Sequence, residues 1–584
     1  MCGIIGYYSL DKKSPEIIKK FNEACSVLEK RGPDQSGTFI GKNILIGNTR
    51  LSIVSKKKIV LPFQKHDYII SFNGEIFNHK EIRNSLISNG YSFSTDTDTE
   101  VILSAYHFYK LDFVNKLRGF FAIAIYDRPQ KKVILARDRF GNKPLYYNLK
   151  DNKLIFCSTQ SALITSELVK FEPNEKRFND FIIFGDIAGQ ETLHKNILEL
   201  EPSNMAIFDG KKLKKQKYYH LEYIINNKIR TINDSENQSL IQLTNLFENS
   251  FKVWSDNNYG DNNILLSGGL DSGLLSLITN KTSKIKNTFT LNFNDNKYLN
   301  EIDDAKKLSK KIKANNFPIN ISQKSVYDNI FEIYSNFDEP VPDTSLLMYK
   351  ISEVLSKKYG TRVCLTGDGA DEIFGGYKRH LMIKEKFTRT KKIQDIALSL
   401  NYLSVNRLKK FLNITNYKVP SERLKYLEKV KNFDILNIIL LYDLKYYLPQ
   451  FLKSNDRVGM NFSLEFRSPY TDHILVESAF SIRSRLKINN KVHKYILQCM
   501  FNKINKSKKK NIKKYFCMPY KSSDFYNGFL KSLFLDTINN NSKLSGFYST
   551  DGLKRLLLDH KINNDHANTL FRFLALELFL KSKY

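Results

Sequence analysis

The stretch Leu265-Leu266-Ser267-Gly268-Gly269-Leu270-Asp271-Ser272-Gly273 limits the fold more than any other part of the chain. The run Asn262–Leu266 reads as a buried strand, and Leu274–Ile278 as a buried helix. A strand that passes through a glycine turn into a helix exposes bare backbone N–H groups at the helix start, where the macrodipole favours anions. Gly268 and Gly269 let the backbone approach a phosphate, while Ser267 and Ser272 add hydroxyl donors. Asp271 does not suit a simple phosphate cradle; a carboxylate there fits if Mg²⁺ lies between it and a polyphosphate. No Gly-Lys-Ser or Gly-Lys-Thr follows, so this is not a Walker loop. For the two glycines taken alone, a plain turn is the simpler reading.

From about Glu236 onward, helical and short apolar segments alternate, as in a doubly wound α/β parallel sheet. Asn287–Phe293 reads as the next strand and Arg362–Thr366 as another, leading into Gly367-Asp368-Gly369-Ala370-Asp371-Glu372. Acidic residues on a glycine-rich turn at a strand's C-terminal end suit a Mg²⁺–pyrophosphate site better than a core. The Ser-Gly-Gly-x-Asp-Ser loop resembles the pyrophosphate loop of N-type ATP pyrophosphatases, which cleave ATP to AMP and pyrophosphate. That resemblance implies an ATP site made by Leu266, Ser267, Gly268, Gly269, Leu270, Asp271 and Ser272, with the strand end at Leu291 beside the adenine. Thr366, Gly367 and Asp368 complete it, and Asp371 joins Asp271 on the metal. Asp368 stands where many relatives carry Glu. Lys494 matches a family lysine over the phosphates, where a cation stabilises charge on the leaving pyrophosphate. Asp456–Met460 and Ser463–Asp472 resemble a further signature of asparagine synthetases, within which Arg457 and Glu465 read equally well as a structural ion pair.

At 584 residues the chain exceeds one ordinary core, so two or more domains are expected. With 42% hydrophobic and 13% aromatic residues it can bury large cores. No apolar run of about 18 residues and no signal pattern is present, so the reading is a soluble, cytoplasmic protein. Cys2, Cys25, Cys157, Cys364, Cys499 and Cys517 show no paired spacing, which argues against a zinc site or a disulfide framework. A net charge of +31 invites a nucleic-acid reading, but lysine far outnumbers arginine and asparagine is abundant throughout. Lys56–Lys58 and Lys508–Lys510 therefore read as solvated faces, and neither nucleic acid nor membrane is an expected partner.

The N-terminus is the second focus. Cys2 follows Met1 and is small enough for the initiator to be removed, which frees an α-amine with an ordinary pKa near ~8. One residue then supplies nucleophile and base. Alone, Cys2 is unremarkable in meaning, but Arg31-Gly32-Pro33-Asp34, Arg50-Leu51-Ser52-Ile53, Phe72–Asn78, Thr97–Glu100, Gly119–Ala122 and Asp138–Tyr147 follow in order. The series resembles class II glutamine amidotransferase domains, whose nucleophile is N-terminal, over about the first 200 residues. The resemblance implies an α+β αββα sandwich and makes Asn73 and Gly74 the oxyanion hole for the tetrahedral intermediate. Arg50 is then the partner of glutamine's α-carboxylate, and Glu75 with Asp98 of its α-ammonium. Alternating apolar runs at Tyr68–Phe72, Phe120–Tyr126, Lys132–Ala136 and Lys153–Cys157 suit two packed sheets.

These readings divide the chain into a glutaminase domain at 2–222, a polar linker at 223–235 and an ATP pyrophosphatase domain at 236–584. A carboxylate is a poor electrophile, and adenylation gives it AMP as a leaving group; ammonia made at Cys2 then attacks it. The whole resembles a glutamine-hydrolysing asparagine synthetase, with ATP as substrate, Mg²⁺, glutamine and an acceptor carboxylate as partners, and a homodimer as the assembly considered. Asp338-Glu339-Pro340-Val341-Pro342-Asp343-Thr344-Ser345 frames the acceptor, in a form shared by asparagine synthetases and amidotransferases of surface-polysaccharide pathways. Aspartate is the first choice of acceptor and a uronic-acid sugar the second. A β-lactam-forming relative, a tRNA-modifying pyrophosphatase and a non-catalytic descendant fit less well, since none accounts for the intact Cys2–Arg50–Asn73–Asp98 set.

Overall fold

The computed structural model describes the chain except residues 1, 230–234, 257–259, 294–300, 342, 388–391, 401–416, 507–520, 561–564 and 584. Lys508–Lys510, Cys517 and the initiator methionine thus lie outside the described residues. The first half is built from β1 (Cys2–Tyr8), β2 (Gln35–Ile40), β3 (Ile44–Arg50), β4 (Phe63–Lys65), β5 (Tyr68–Ile76) and β6 (Gly119–Asp127). It continues with β7 (Lys132–Arg137), β8 (Tyr146–Lys150), β9 (Lys153–Cys157), β10 (Leu198–Glu199), β11 (Asn204–Phe208) and β12 (Leu213–Lys217). Two antiparallel sheets result, in the orders β10-β8-β9-β1-β3-β2 and β12-β11-β7-β6-β5-β4.

The sheets stack through Ile4, Tyr8, Ile46, Ile69, Ala122, Leu135 and Phe156, a wholly apolar layer. Each outer face is covered by helices. Pro15–Val27, started by a Ser14 cap and Pro15, lays Phe21 and Ala24 on the first sheet. His79–Ile87 and Asp98–Tyr109 cover the second. Helix, sheet, sheet and helix are thus four layers, with β1 central in its sheet, so Cys2 starts on a strand held from both sides.

The second half carries β13 (Asn262–Leu265), β14 (Ile285–Phe293), β15 (Asn315–Ile321), β16 (Val363–Leu365) and β17 (Glu465–Arg467). They form one parallel sheet in the order β15-β14-β13-β16-β17. The chain winds outward from β13 in one direction and then the other. The order reverses between β13 and β16, and ligands of open α/β sheets bind at the C-terminal ends of strands at such a reversal. The stretch read as a linker, 223–235, begins as helix: Leu221–Ile229 is helical because Leu221 and Ile225 bury against the core of the second half.

The halves join through apolar packing and buried charge together. Leu51, Ile53, Phe77 and Phe120 of the first half pack with Trp254, Val363 and Met460 of the second. Beside them Asp456 takes Arg31 at 2.7 Å and Lys143 at 2.8 Å, with its side chain only 2% exposed. Glu339 takes Arg457 at 3.0 Å and Lys453 at 3.1 Å, and Lys453 reaches Glu199 at 2.7 Å. No helix among the described residues is long and apolar enough to cross a membrane.

Asp456→Asn leaves two buried cations without their shared anion. Breaking a buried pair from one side costs about 3–5 kcal/mol, to be read from urea unfolding at neutral pH. The arginine and lysine hold the Asp456 carboxyl below its ordinary range against the opposing effect of burial. Its stabilisation is therefore complete above the ordinary aspartate pKa of about 4 and is lost as pH falls through the depressed value. The difference between wild type and variant should accordingly stay constant from neutral pH down to that range and shrink only below it.

Candidate active site

Cys2 pairs across the sheet with Arg50 on β3. With Leu51, Gly74, Glu75, Asp98 and Glu465 these two residues line one pocket. The Cys2 N–H donates to Asn73 Oδ1 at 3.2 Å, and its carbonyl accepts from Arg31 Nε at 3.2 Å. Burial pushes the Cys2 thiol above its ordinary value, so at neutral pH it rests protonated and needs a base. Asn73 is fully buried, and its Nδ2 has no hydrogen-bond partner among the described residues. A buried donor left unmade costs about 1–3 kcal/mol, a cost that suits a group waiting for an oxyanion. Gly74 has φ +151°, and a Cβ there would lie 2.2 Å from the Phe120 carbonyl oxygen. Only glycine keeps β5 against β6 at this point.

The residues read as glutamine partners meet at the same pocket, each with its own constraint. Arg50 already donates to Gln35 Oε1 at 2.7 Å, Lys57 O at 2.8 Å and Ser55 O at 2.7 Å. A carboxylate ligand shares that fork with the loop. Asp98 accepts from the Ile76 N–H at 3.1 Å; burial raises its carboxyl, opposed first by His79. Glu75 binds Arg467 of β17 through Oε2, while its Oε1 is buried without a hydrogen-bond partner among the described residues. An unpaired donor thus sits on the residue that bonds the Cys2 N–H, and an unpaired acceptor on a residue that lines the Cys2 pocket.

The second site lies at the sheet's reversal. The loop after β13 enters the helix Leu270–Thr282 at Gly269, and Gly268 takes φ +75° because a Cβ would come 2.8 Å from the Glu301 carbonyl oxygen. Ser272 Oγ accepts from the Ser267 N–H at 3.1 Å and lies 3.0 Å from Ser267 Oγ, which shapes the turn. The loop after β16 packs against it so closely that a Cβ on Gly367 would sit 3.1 Å from Asp271 Cβ. Between the loops Lys494 Nζ bonds Asp271 Oδ2 at 2.6 Å and Asp371 Oδ1 at 2.8 Å. The two aspartates raise the lysine's pKa against its own burial, so it is charged throughout the neutral range. Asp368 accepts from Thr366 Oγ1 at 2.6 Å and Asn455 Nδ2 at 3.0 Å, and burial raises its carboxyl to about 6. Leu291 lies on β14, in register with Ile319 of the edge strand β15.

Mg²⁺ is commonly held by one or two carboxylates with the rest of its shell from phosphate and water. Asp271 and Asp371 converge on a single cation already, at the C-terminal ends of two strands, so this donor set fits that ion with a polyphosphate. Arg457 and Glu465 do not pair with each other: Arg457 binds Glu339, and Glu465 binds Arg467 at 2.6 Å. Asp338 accepts from the Ser161 N–H at 2.6 Å and Glu339 from Gln160 Nε2 at 3.0 Å, both across the boundary between the halves. Sequence reasoning gave no role to Arg467, Asn455 or Glu372. Glu372 is buried next to Asp371, its carboxyl raised to about 8 mainly by burial, with Tyr377 Oη donating at 2.8 Å. Its place inside the quoted turn was the only signal available.

A nucleophile pocket and a nucleotide-type site in one chain match what comparison with known proteins finds. Residues 1–219 match the model of a glutamine amidotransferase domain, and residues 244–581 match that of asparagine synthase. The chain belongs to the asparagine synthase family. Asparagine synthetase 1 (glutamine-hydrolyzing) of Bacillus subtilis (strain 168) is 27% identical over 543 residues, covering 85% of this chain and 84% of that protein. A putative asparagine synthetase 2 of Methanocaldococcus jannaschii is 30% identical over 457 residues, covering 72% and 81%. Asparagine synthetase B of Escherichia coli (strain K12) is 27% identical over 396 residues, covering 65% of each.

In this member of the asparagine synthase family Gly376 is closed to any side chain, since a Cβ would lie 1.6 Å from Asp371 Oδ1. Gly376→Ala should swing the Asp371 carboxylate off Lys494 and weaken Mg-ATP binding at least tenfold by calorimetry. Glutamine hydrolysis should stay within about twofold, because the match to a glutamine amidotransferase domain lies in the other half.

Proposed function

We propose that this protein is an ATP-dependent, glutamine-hydrolysing amidotransferase that makes asparagine from aspartate, with glutamate, AMP and pyrophosphate as the other products. Residues 2–222 would carry the glutaminase and residues 236–584 the adenylating site. The observation that carries the reading is the buried Cys2, whose N–H is bonded by Asn73, a residue with an unpaired side-chain donor, and whose pocket is lined by Glu75, a residue with an unpaired acceptor. A thiol needs an oxyanion donor to open a carboxamide, and an amino-acid substrate needs an acceptor for its ammonium.

Once Met1 is removed, the Cys2 α-amine takes the thiol proton and the sulfur attacks the glutamine carboxamide carbon. Asn73 Nδ2 and the Gly74 N–H receive the oxyanion; losing one such donor costs about 10²–10³ in rate. The amine returns its proton to the departing ammonia, and water releases glutamate from the thioester. Arg50 holds the α-carboxylate, and Glu75 with Asp98 the ammonium. In the second half the acceptor's carboxylate oxygen attacks the α-phosphorus of ATP and pyrophosphate leaves. The loop Leu266–Ser272 and Thr366–Asp368 cradle the nucleotide, Leu291 lies beside its adenine, and Lys494 faces the charge growing on pyrophosphate. Mg²⁺, held by Asp271 and Asp371, would neutralise the polyphosphate. Ammonia then attacks the acyl carbon of the adenylate, AMP leaves, and the surplus proton passes to solvent.

The test supplies Mg-ATP, glutamine and either aspartate or a uronic-acid sugar, and follows AMP, pyrophosphate and the amidated product. Cys2→Ala should abolish glutamine-dependent product and leave ammonia-dependent product within about twofold. Asp271→Ala should abolish pyrophosphate release from either nitrogen source and spare most glutamine hydrolysis. Amidation of the sugar but not of aspartate would transfer the assignment to the polysaccharide branch; ADP and phosphate as products would sink it altogether.

A further inference from the structure

The pocket around Cys2 is not closed by the first half alone. Glu465, from the edge strand β17 of the parallel sheet, lines it together with Cys2, Arg50 and Asp98. Two residues on, Arg467 is fully buried and reaches across the boundary to Glu75. Its guanidinium also donates to Glu465 Oε1 at 2.6 Å and to the Trp254 carbonyl at 2.9 Å. Arg467 is thus the cation directly bonded to Glu75, whose second oxygen is the pocket's free acceptor. The charged groups that act on Glu75 are Arg467 and Glu465 from β17, Asp98 from the helix Asp98–Tyr109 and the chain's N-terminal amine, and Arg50 lines the same pocket.

We propose that Arg467 and Glu465 belong to the glutamine site: Arg467 positions Glu75 to receive the amino acid's ammonium, and Glu465 adds a second carboxylate to the wall of the same pocket. The proposal rests on the reading of Cys2 as a glutaminase nucleophile. Burial first, then Glu465 and Asp98, push the Glu75 carboxyl well above its ordinary range; Arg467 is the largest influence that opposes them, ahead of the chain's N-terminal amine. An ammonium gains little from a neutral acid, so removal of the guanidinium weakens glutamine binding most at low pH. The backbone of β17 gives the arrangement a second consequence. The Arg467 carbonyl accepts from the Thr366 N–H at 2.8 Å, and Thr366 Oγ1 donates to Asp368. The strand that completes the glutamine pocket therefore also fixes the nucleotide loop.

The experiment uses the full chain with Arg467→Gln, Arg467→Lys and Glu465→Gln, and measures glutamine-dependent and ammonia-dependent AMP formation between pH 6.5 and 9. Arg467→Gln should raise the KM for glutamine at least tenfold at pH 7, with ammonia-dependent kcat within about twofold. That KM should fall again as pH rises and Glu75 ionises, and the fall should lie at higher pH than any fall in the wild-type KM, because Arg467 is the largest influence that favours the charged carboxylate. Arg467→Lys keeps the charge without the fork, so a smaller rise with a pH profile close to the wild type's is expected, and it carries the test should Arg467→Gln not fold. Glu465→Gln should raise KM about threefold or more without touching ammonia-dependent turnover. An unchanged KM in the folded variants overturns the proposal, as does an equal loss of both activities, which would mean that Arg467 only holds the sheet together. If the unsubstituted protein hydrolyses no glutamine at all, the reading of Cys2 falls and this proposal falls with it.

Discussion

Charge buried between two domains is tolerated only when every member has its counter-ion, and the joint of this protein is built under that constraint. Asp456 is nearly inaccessible and lies between Arg31 and Lys143, while Arg467 lies between Glu75 and Glu465. In each cluster an anion and a cation come from different halves, so Asp456 and Glu75 each have a counter-ion supplied by the other half. The cost of removing such ions from water is several kcal/mol apiece before pairing. This makes the relative position of the halves a matter of specific geometry rather than of apolar contact alone. The apolar part, Phe77 and Phe120 against Trp254, Val363 and Met460, excludes the water that would otherwise screen those pairs.

The same clusters touch the site residues. Arg31 bonds the Cys2 carbonyl and Asp456 together. Asp456 is followed along the helix Leu448–Met460 by Arg457 and preceded by Asn455, whose amide holds Asp368. The helix therefore bears on one pocket through Asp456 and on the other through Asn455, adjacent residues on a rigid element. An αββα half and a parallel-sheet half are thus tied together beside both candidate sites, one at the start of β1 and the other at the reversal between β13 and β16.

Much of this was legible in the residues. Short apolar runs gave β6, β7 and β9 to within a residue at either end, and the run before Ser267 gave β13. These strands bury both faces, so hydrophobicity alone marks them. β17 could not be read in this way, because two of its three residues, Glu465 and Arg467, are charged and are buried only by virtue of partners distant in sequence. β15 escaped for another reason: its Asn-Asn-Phe-Pro-Ile-Asn-Ile pattern carries a proline and polar faces that an edge strand permits and a central one does not. Motif spacing found the residues on the two loops and at the N-terminus, since those act through local backbone geometry. It could not find Arg467 or Asn455, whose meaning lies in which carboxylate they reach across space.

Lys494 shows how far the local argument goes and where a second physical demand enters. A lysine facing phosphate need only be positive and near. Here it also keeps Asp271 and Asp371 from repelling one another at the junction of two loops. The helix Tyr495–Asn505 begins directly after it, and the lysine itself takes a left-handed backbone at φ 50°, a conformation costly for a side chain of this kind. Strain of that sort persists only where surrounding contacts over-determine it, and two short charge-assisted bonds to opposite loops supply that. The cation thus closes the two acidic loops upon each other, and its left-handed backbone is held by those contacts.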